Sequence, residues 1–124
     1  MIKVKHFLDP IEEDDGQRIW VEPFGLTEDL RQWCKVDLLL PHLGPRKDTW
    51  EWFDEHPDGW EEFRGRYHVE LSGSQYTPTL MSLAKTGLQD NFTLLHQGSD
   101  VEKNTAEALR EFINELEAYC PKDE

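Results

Sequence analysis

Side chains that can exchange protons or hold a small ligand gather just after residue 95 of the chain. His96 ends an apolar stretch, and Ser99 and Asp100 follow closely. Ligands of open parallel sheets bind in the crevice outside the carboxyl ends of the strands. An imidazole placed there could donate or accept a proton near neutral pH. We therefore predict a ligand-binding crevice at this loop.

The same loop leads into a long amphipathic helix, whose first backbone N–H groups suit a small anion. Ser99 with Glu102 three residues later predicts a capping box at the start of that helix. Asp100 could instead accept those N–H groups itself. In that case the segment is an ordinary helix cap and binds nothing. The sequence leaves both interpretations, anion site and helix cap, open.

Aromatic rings alternate with carboxylates between residues 50 and 63, where Trp50, Trp52 and Trp60 stand among aspartates and glutamates. Such a stretch could form an acidic stacking platform for a basic or sugar-like partner, or a contact in a homodimer. The same rings also recur at helical spacing, which favours packing in the core.

Strong signatures of cofactor or metal chemistry are absent from the sequence. It contains no glycine-rich nucleotide loop, no nucleophile elbow, no HExxH helix and no calcium loop. Its five histidines, at positions 6, 42, 56, 68 and 96, are never three or four residues apart. We predict no cofactor and no metal ion, and the residues leave open whether the protein is an enzyme.

Charge and composition exclude several partners. The 26 acidic and 13 basic residues give a net charge of -13, which repels nucleic acids and anionic membranes. The longest apolar stretch, residues 36–43, is far shorter than the roughly 20 residues that a membrane helix needs. Cys34 and Cys120 match no metal-binding spacing and are expected to be reduced. We expect a cytoplasmic protein.

The elements that must position these side chains alternate between strands and helices. Four strands are predicted at Ile2–Leu8, Arg18–Val21, Val36–Leu40 and Phe92–His96. Helices are predicted from residue 28 to Trp33 after a Thr27 cap, in a three-helix stretch from Asp48 to Gly87, and from about residue 101 to Tyr119. Within the middle stretch, Pro57 should open the second helix and Gly87 should end the third.

This order of elements predicts an α/β fold. Parallel strands need helical crossovers that cover the sheet, so we expect a small, mainly parallel sheet of about four strands with helices on both faces. The three-helix stretch is then a helix-rich insertion in the middle of the chain. A length of 124 residues predicts a single domain over 1–124.

Short motifs spread along the chain point to a known family. They include Asp15-Gly16-x-Arg18, Pro57-x-x-Trp60-x-x-Phe63, Thr93-Leu94-Leu95 and Asp100-x-x-x-Asn104-x-Ala106. Together they resemble the YeaO-like family of small bacterial and archaeal proteins, a domain of unknown function numbered 488. The resemblance spans nearly the whole chain and implies a compact α/β domain, with no established reaction.

The chain also departs from that family. Where members carry an Asp-Arg-Leu-Trp-Pro-Arg-Gly stretch, this sequence has Glu22-Pro23-Phe24-Gly25, so both arginines are missing. Arg18, Asp100 and Asn104 match the family motifs, which implies that any shared site lies around them. The chain is therefore identified as a divergent member whose activity is altered or lost.

Our leading hypothesis is a protein that binds a small polar or anionic ligand in the crevice at the strand ends. Its ligand-binding candidates are Arg18, His96, Ser99, Asp100 and Asn104. Arg18 would pair an anionic group, His96 would exchange a proton, and Asn104 would orient the ligand by hydrogen bonds. The alternative is an interaction or regulatory module that uses the acidic aromatic stretch, including self-association.

Overall fold

The computed structural model of the protein describes residues 1–120 and contains one four-stranded sheet in this range. The strands are β1 (Ile2–His6), β2 (Gln17–Trp20), β3 (Leu38–Leu39) and β4 (Phe92–His96), in the spatial order β1-β4-β2-β3. Every neighbouring pair runs parallel. The predicted parallel α/β fold is therefore confirmed.

The alternation of side chains along each strand divides the sheet into two faces. Ile2, Ile19 and Phe92 point to one face and join the larger core. Trp20 and Leu95 point to the opposite face and join a smaller core. Successive residues of a strand point to opposite sides, so the strand sequence alone assigns these sets.

Four helices cover the first face. They are α2 (Lys47–Glu55), α3 (Trp60–Leu71), α4 (Thr77–Gln89) and α5 (Thr105–Glu117). Fully buried rings and aliphatic chains of α3, α4 and α5 pack against the strands, among them Phe63, Leu80 and Leu109. Here α2–α4 form the helix-rich insertion between β3 and β4 that the sequence predicts.

One short helix, α1 (Glu28–Trp33), belongs to the second face. It begins at Thr27, whose side chain accepts a hydrogen bond from the Leu30 N–H at 3.2 Å. Just beyond its last residue, Cys34 and Val36 pack against Trp20 in the smaller core. The sheet is thus covered on both faces as predicted, but very unequally.

Several predicted helix boundaries are wrong. α3 begins at Trp60, and Pro57 lies in the loop before it. α4 continues past Gly87 to Gln89, and the missing Cβ of Gly87 leaves room for Ile2 of β1. A Cβ at that position would come within 2.9 Å of the Ile2 Cγ1 atom, so this glycine serves close packing and not helix termination.

The start of α5 is also corrected. The helix begins at Thr105, and its cap is Asn104, whose Oδ1 accepts the Glu107 N–H at 2.9 Å. The predicted capping box of Ser99 and Glu102 does not form. Asp100 holds that segment in a separate turn, because its Oδ1 accepts the backbone N–H groups of Glu102 and Lys103, each at 2.9 Å.

Candidate functional site

An open cavity of about 540 Å³ lies at the carboxyl ends of the strands. Its walls come from Glu22 after β2, from Trp50, Phe53 and Asp54 of α2, and from residues 97–100 and 103–105 before and within α5. We call this cavity the Glu22 crevice. Its position at the strand ends is where the sequence predicts a ligand site, and its size is ordinary for a small molecule.

The carboxylate of Glu22 is the most unusual group in the crevice, since only 2% of the residue is exposed. Its Oε1 accepts the backbone N–H of Gln97 at 3.3 Å. Within residues 1–120, its Oε2 has no hydrogen-bond partner that meets distance and angle criteria. Burial raises the pKa of Glu22 to about 7, although donors from Gln97, Thr105 and Trp50 partly oppose that rise.

Sequence reasoning missed Glu22. The local signal was present, because an acidic residue follows the apolar strand β2 and immediately precedes Pro23. A position just beyond a parallel strand opens toward the crevice. Only the packing of α2 and α5 over this position shows that the carboxylate is removed from water.

The predicted loop residues Ser99, Asp100 and Asn104 do line the Glu22 crevice. Ser99 is exposed, whereas Asn104 is buried and donates from its Nδ2 to the backbone oxygen of Asp100 at 2.9 Å. The hydrogen bonds from Glu102 and Lys103 lower the pKa of Asp100, which is therefore ionised at neutral pH. Asp100 and Asn104 thus also maintain the shape of the loop.

His96 lies at the end of β4, buried next to His6. Burial and the neighbouring His6 ring lower the pKa of His96 to about 4, so its imidazole is neutral at pH 7. In the described part of the chain, its Nδ1 has no hydrogen-bond partner. His96 does not line the Glu22 crevice, although Gln97, the next residue, does.

Arg18 is not brought together with the other four candidates. It lies early in β2 and points to the second face of the sheet, where its Nη1 donates to Asp15 at 2.7 Å and its Nε to the Cys34 carbonyl at 3.0 Å. Only 2% of the residue is exposed. The alternation of side chains along β2 separates Arg18 from the helices that surround the crevice.

The aromatic rings of residues 50–63 are half-buried or buried. Trp60 is 8% exposed and lies in the larger core, so it cannot form part of a free surface. Trp52 stacks on His56 with ring centres 4.6 Å apart, and Trp50 meets Phe24 edge to face. The tryptophan with the most exposed surface is instead Trp33, at the end of α1.

One group of carboxylates has a geometry that could hold a metal ion. Oxygen atoms of Glu12, Asp14 and Asp15 lie within 4.8 Å of one another. However, Lys3 and Lys5 donate to Asp15 at 2.8 and 3.1 Å, and Arg18 also donates to it, at 2.7 Å. Three protein cations therefore bind the carboxylate of Asp15, and the arrangement is an ion-pair network.

Together, the four parallel strands, the helical cover and the crevice at the strand ends define a small α/β domain of the open-sheet type. Residues 1–122 match a family described as the inactive DUF488-N3 subclade. The chain belongs to this family. The predicted membership in the domain of unknown function numbered 488 is confirmed.

The chain matches three relatives over nearly the full length of both sequences. Three curated proteins are each 28% identical over 119 residues, a match that covers 91% of this chain and 93% of theirs. They are the uncharacterized proteins Mb3100c of Mycobacterium bovis and MT3158 and Rv3073c of two Mycobacterium tuberculosis strains. No solved structure matches the chain significantly. Over residues 1–120, no helix is long and apolar enough to span a bilayer.

Proposed function

We propose that this protein is a binding domain whose Glu22 crevice holds a small molecule rich in N–H or O–H donors. The observation that carries the proposal is the buried Glu22 carboxylate, whose Oε2 lacks a hydrogen bond within residues 1–120 and which lines a cavity of about 540 Å³. A buried acceptor atom without a well-formed hydrogen bond costs up to about 1–3 kcal/mol, and a ligand donor to Oε2 would recover this free energy.

The charges of the crevice favour a neutral or cationic ligand over an anion. Within residues 1–120, its lining contains the carboxylates of Glu22, Asp54 and Asp100 but only one ammonium group, that of Lys103. Trp50 and Phe53 add apolar ring surface beside the carboxylate. A flat or apolar body carrying donors on one edge would match both features.

Binding without catalysis is supported by the family, which is described as inactive. His96 is neutral at pH 7 and lies outside the lining of the crevice, so it makes no direct contact with a molecule held there. We place the protein in the cytoplasm as part of this proposal, because Cys34 and Cys120 are both free thiols.

Thermal unfolding at fixed ionic strength tests the proposal. The probes are nucleosides, sugars and primary amines, with phosphate and sulfate as the anionic comparison. A bound probe at 100 times its Kd stabilises the fold by about 2.7 kcal/mol, which raises the Tm by several degrees. We expect such a rise for donor-rich probes and none for the two anions.

Two variants then locate the site. Glu22→Gln should abolish the rise in Tm, because the amide offers a weaker acceptor and no charge. Glu55→Gln makes the same change at an exposed position outside the crevice and should leave the rise intact. If no donor-rich probe raises the Tm, or if Glu22→Gln retains the full rise, the crevice is not the binding site.

A further inference from the structure

A second cavity opens on the other face of the sheet and shares no lining residue with the Glu22 crevice. It has a volume of about 270 Å³ and is lined by Phe7, Leu8, Asp9, Pro10, Ile11, Arg18, Trp33 and Cys34. We call it the Arg18 cavity. Its size suits a molecule of about one ring.

The guanidinium of Arg18 is the buried charged group of this cavity, whereas the other charged residue of the lining, Asp9, is exposed. Its Nε is bonded to the Cys34 carbonyl and its Nη1 to Asp15. The third nitrogen, Nη2, is buried and has no hydrogen-bond partner within residues 1–120. A guanidinium carries five N–H donors and no acceptor, so it can only be satisfied by an oxygen from elsewhere.

The buried charge beneath the cavity is predominantly positive. Lys3, Lys5 and Arg18 have side chains that are 18%, 10% and 2% exposed, and all three bind the single buried carboxylate of Asp15. The other carboxylates of this network, Glu12 and Asp14, are 60% and 67% exposed. Water therefore screens their charges far more than those of the cations.

The rim of the cavity is apolar and open to solvent. Leu8, Ile11 and Trp33 are 58%, 47% and 79% exposed, although large apolar side chains are usually buried. Three such side chains around one buried cation form a site that is apolar at its mouth and cationic at its base. Asp9 is the one acidic residue of the lining, and its Oδ2 accepts the His6 N–H at 2.9 Å.

We propose that the Arg18 cavity binds a small carboxylate with an apolar body, the carboxylate accepting from Arg18 Nη2 and the body lying against Leu8, Ile11 and Trp33. A carboxylate satisfies the free N–H donors and offsets the excess of buried cations, and a charge-assisted bond of this kind is about twice as strong as a neutral one. This proposal is independent of the function proposed for the Glu22 crevice.

Benzoate is a suitable probe, and benzamide is its uncharged counterpart of nearly the same shape. We would titrate ¹⁵N-labelled protein with each at physiological salt and follow the amide resonances of residues 7–11 and the Nε–Hε resonance of Arg18. Benzoate should shift these resonances, and benzamide should bind about tenfold more weakly because it lacks the charge.

Surface variants avoid the risk that replacing Arg18 unfolds the protein. Ile11→Glu places a negative charge at the mouth of the cavity and should weaken benzoate binding at least about fivefold. Val69→Glu makes the same kind of change at an exposed site on α3 and should have no effect. Glu22→Gln should also leave benzoate binding unchanged, which separates this site from the crevice.

Three results would overturn the proposal. The first is the absence of shifts at about 10 mM benzoate, a concentration that would detect even millimolar affinity. The second is equal binding of benzoate and benzamide. The third is unchanged benzoate binding by the Ile11→Glu variant. Equal binding of the two probes would mean that the apolar rim alone holds them and that Arg18 Nη2 takes no part.

Discussion

The imidazole rings of His6 and His96 meet edge to face, with their centres 5.5 Å apart and their planes at 84°. The two residues are register partners at the ends of the neighbouring parallel strands β1 and β4. Protonation of both rings would place two positive charges side by side, with His96 buried. The pair therefore favours a neutral His96, and this preference makes the stability of the fold depend on pH.

The pKa of His96 should make the fold less stable in acid. Because its pKa is about 4 in the folded state against 6.5 when unfolded, the unfolded state takes up a proton first as the pH falls. The stabilisation is fully present above pH 6.5 and is lost as the pH falls through 4. The loss amounts to about 2 kcal/mol, because solvent screening at the carboxyl end of β4 reduces it. Urea unfolding of His96→Gln should lack this loss, whereas exposed His42→Gln should retain it.

Glu22 should have the opposite pH dependence. Its pKa is about 7 in the folded state and 4.5 when unfolded, so its contribution to stability is fully present below pH 4.5 and is lost as the pH rises through 7. The loss amounts to about 3 kcal/mol. Relative to the wild type, Glu22→Gln should therefore gain that amount between pH 4.5 and pH 7.5 in urea unfolding. A stability difference that does not change with pH would show that Glu22 ionises normally.

Asp15 should be essential for stability, because it is 1% exposed and binds Lys3, Lys5 and Arg18. Burial alone would raise its pKa, but hydrogen bonds from Lys3, the Glu12 backbone, Lys5 and Arg18 together hold the pKa well below its usual range. Asp15→Asn leaves buried cations without their counter-charge and should cost about 3 kcal/mol or more in urea unfolding. Asp14→Asn, at a mostly exposed position, should cost less than about 1 kcal/mol.

Gly16 and Gly65 should respond to alanine in opposite directions. Gly16 has a φ of 62°, and a Cβ there would lie 1.9 Å from the Asn91 backbone oxygen, so Gly16→Ala should destabilise the fold by about 3 kcal/mol. Gly65 lies within α3, and a Cβ there would have no heavy atom within 4 Å outside the local helix. Gly65→Ala should raise stability by about 0.5–1 kcal/mol. Thermal unfolding of the two variants measures both effects. A Gly16→Ala variant as stable as the wild type would contradict the clash expected at the residue before β2.

Asn104 should act as the cap of α5. Asn104→Ala removes the acceptor of the Glu107 N–H and should cost about 1–2 kcal/mol, with a corresponding fall in Tm. Asn104→Asp keeps the acceptor oxygen at the helix start and should recover most of that loss. Similar instability of the two variants would indicate that the Nδ2 bond to Asp100, which aspartate cannot make, matters more than the cap.

The sequence by itself predicted the strands and helices well, because these depend on local periodicity. The two-residue alternation of β1, the apolar run of β4 and the Thr27 cap of α1 all correspond to observed elements. Boundaries set by one punctuating residue were less reliable. Gly87 lies inside α4, since its small size is needed against Ile2 and not for a turn.

The candidate site was only partly predictable. Ser99, Asp100 and Asn104 line the crevice because a loop at the end of a parallel strand must lie at that edge of the sheet. The tertiary structure alone decided that Arg18 lies on the other face with Asp15 and that Glu22 is closed off from water. Alternation along a strand shows which residues share a face, but which face is covered, and how deeply, depends on helices that are distant in sequence and pack together only in the folded chain.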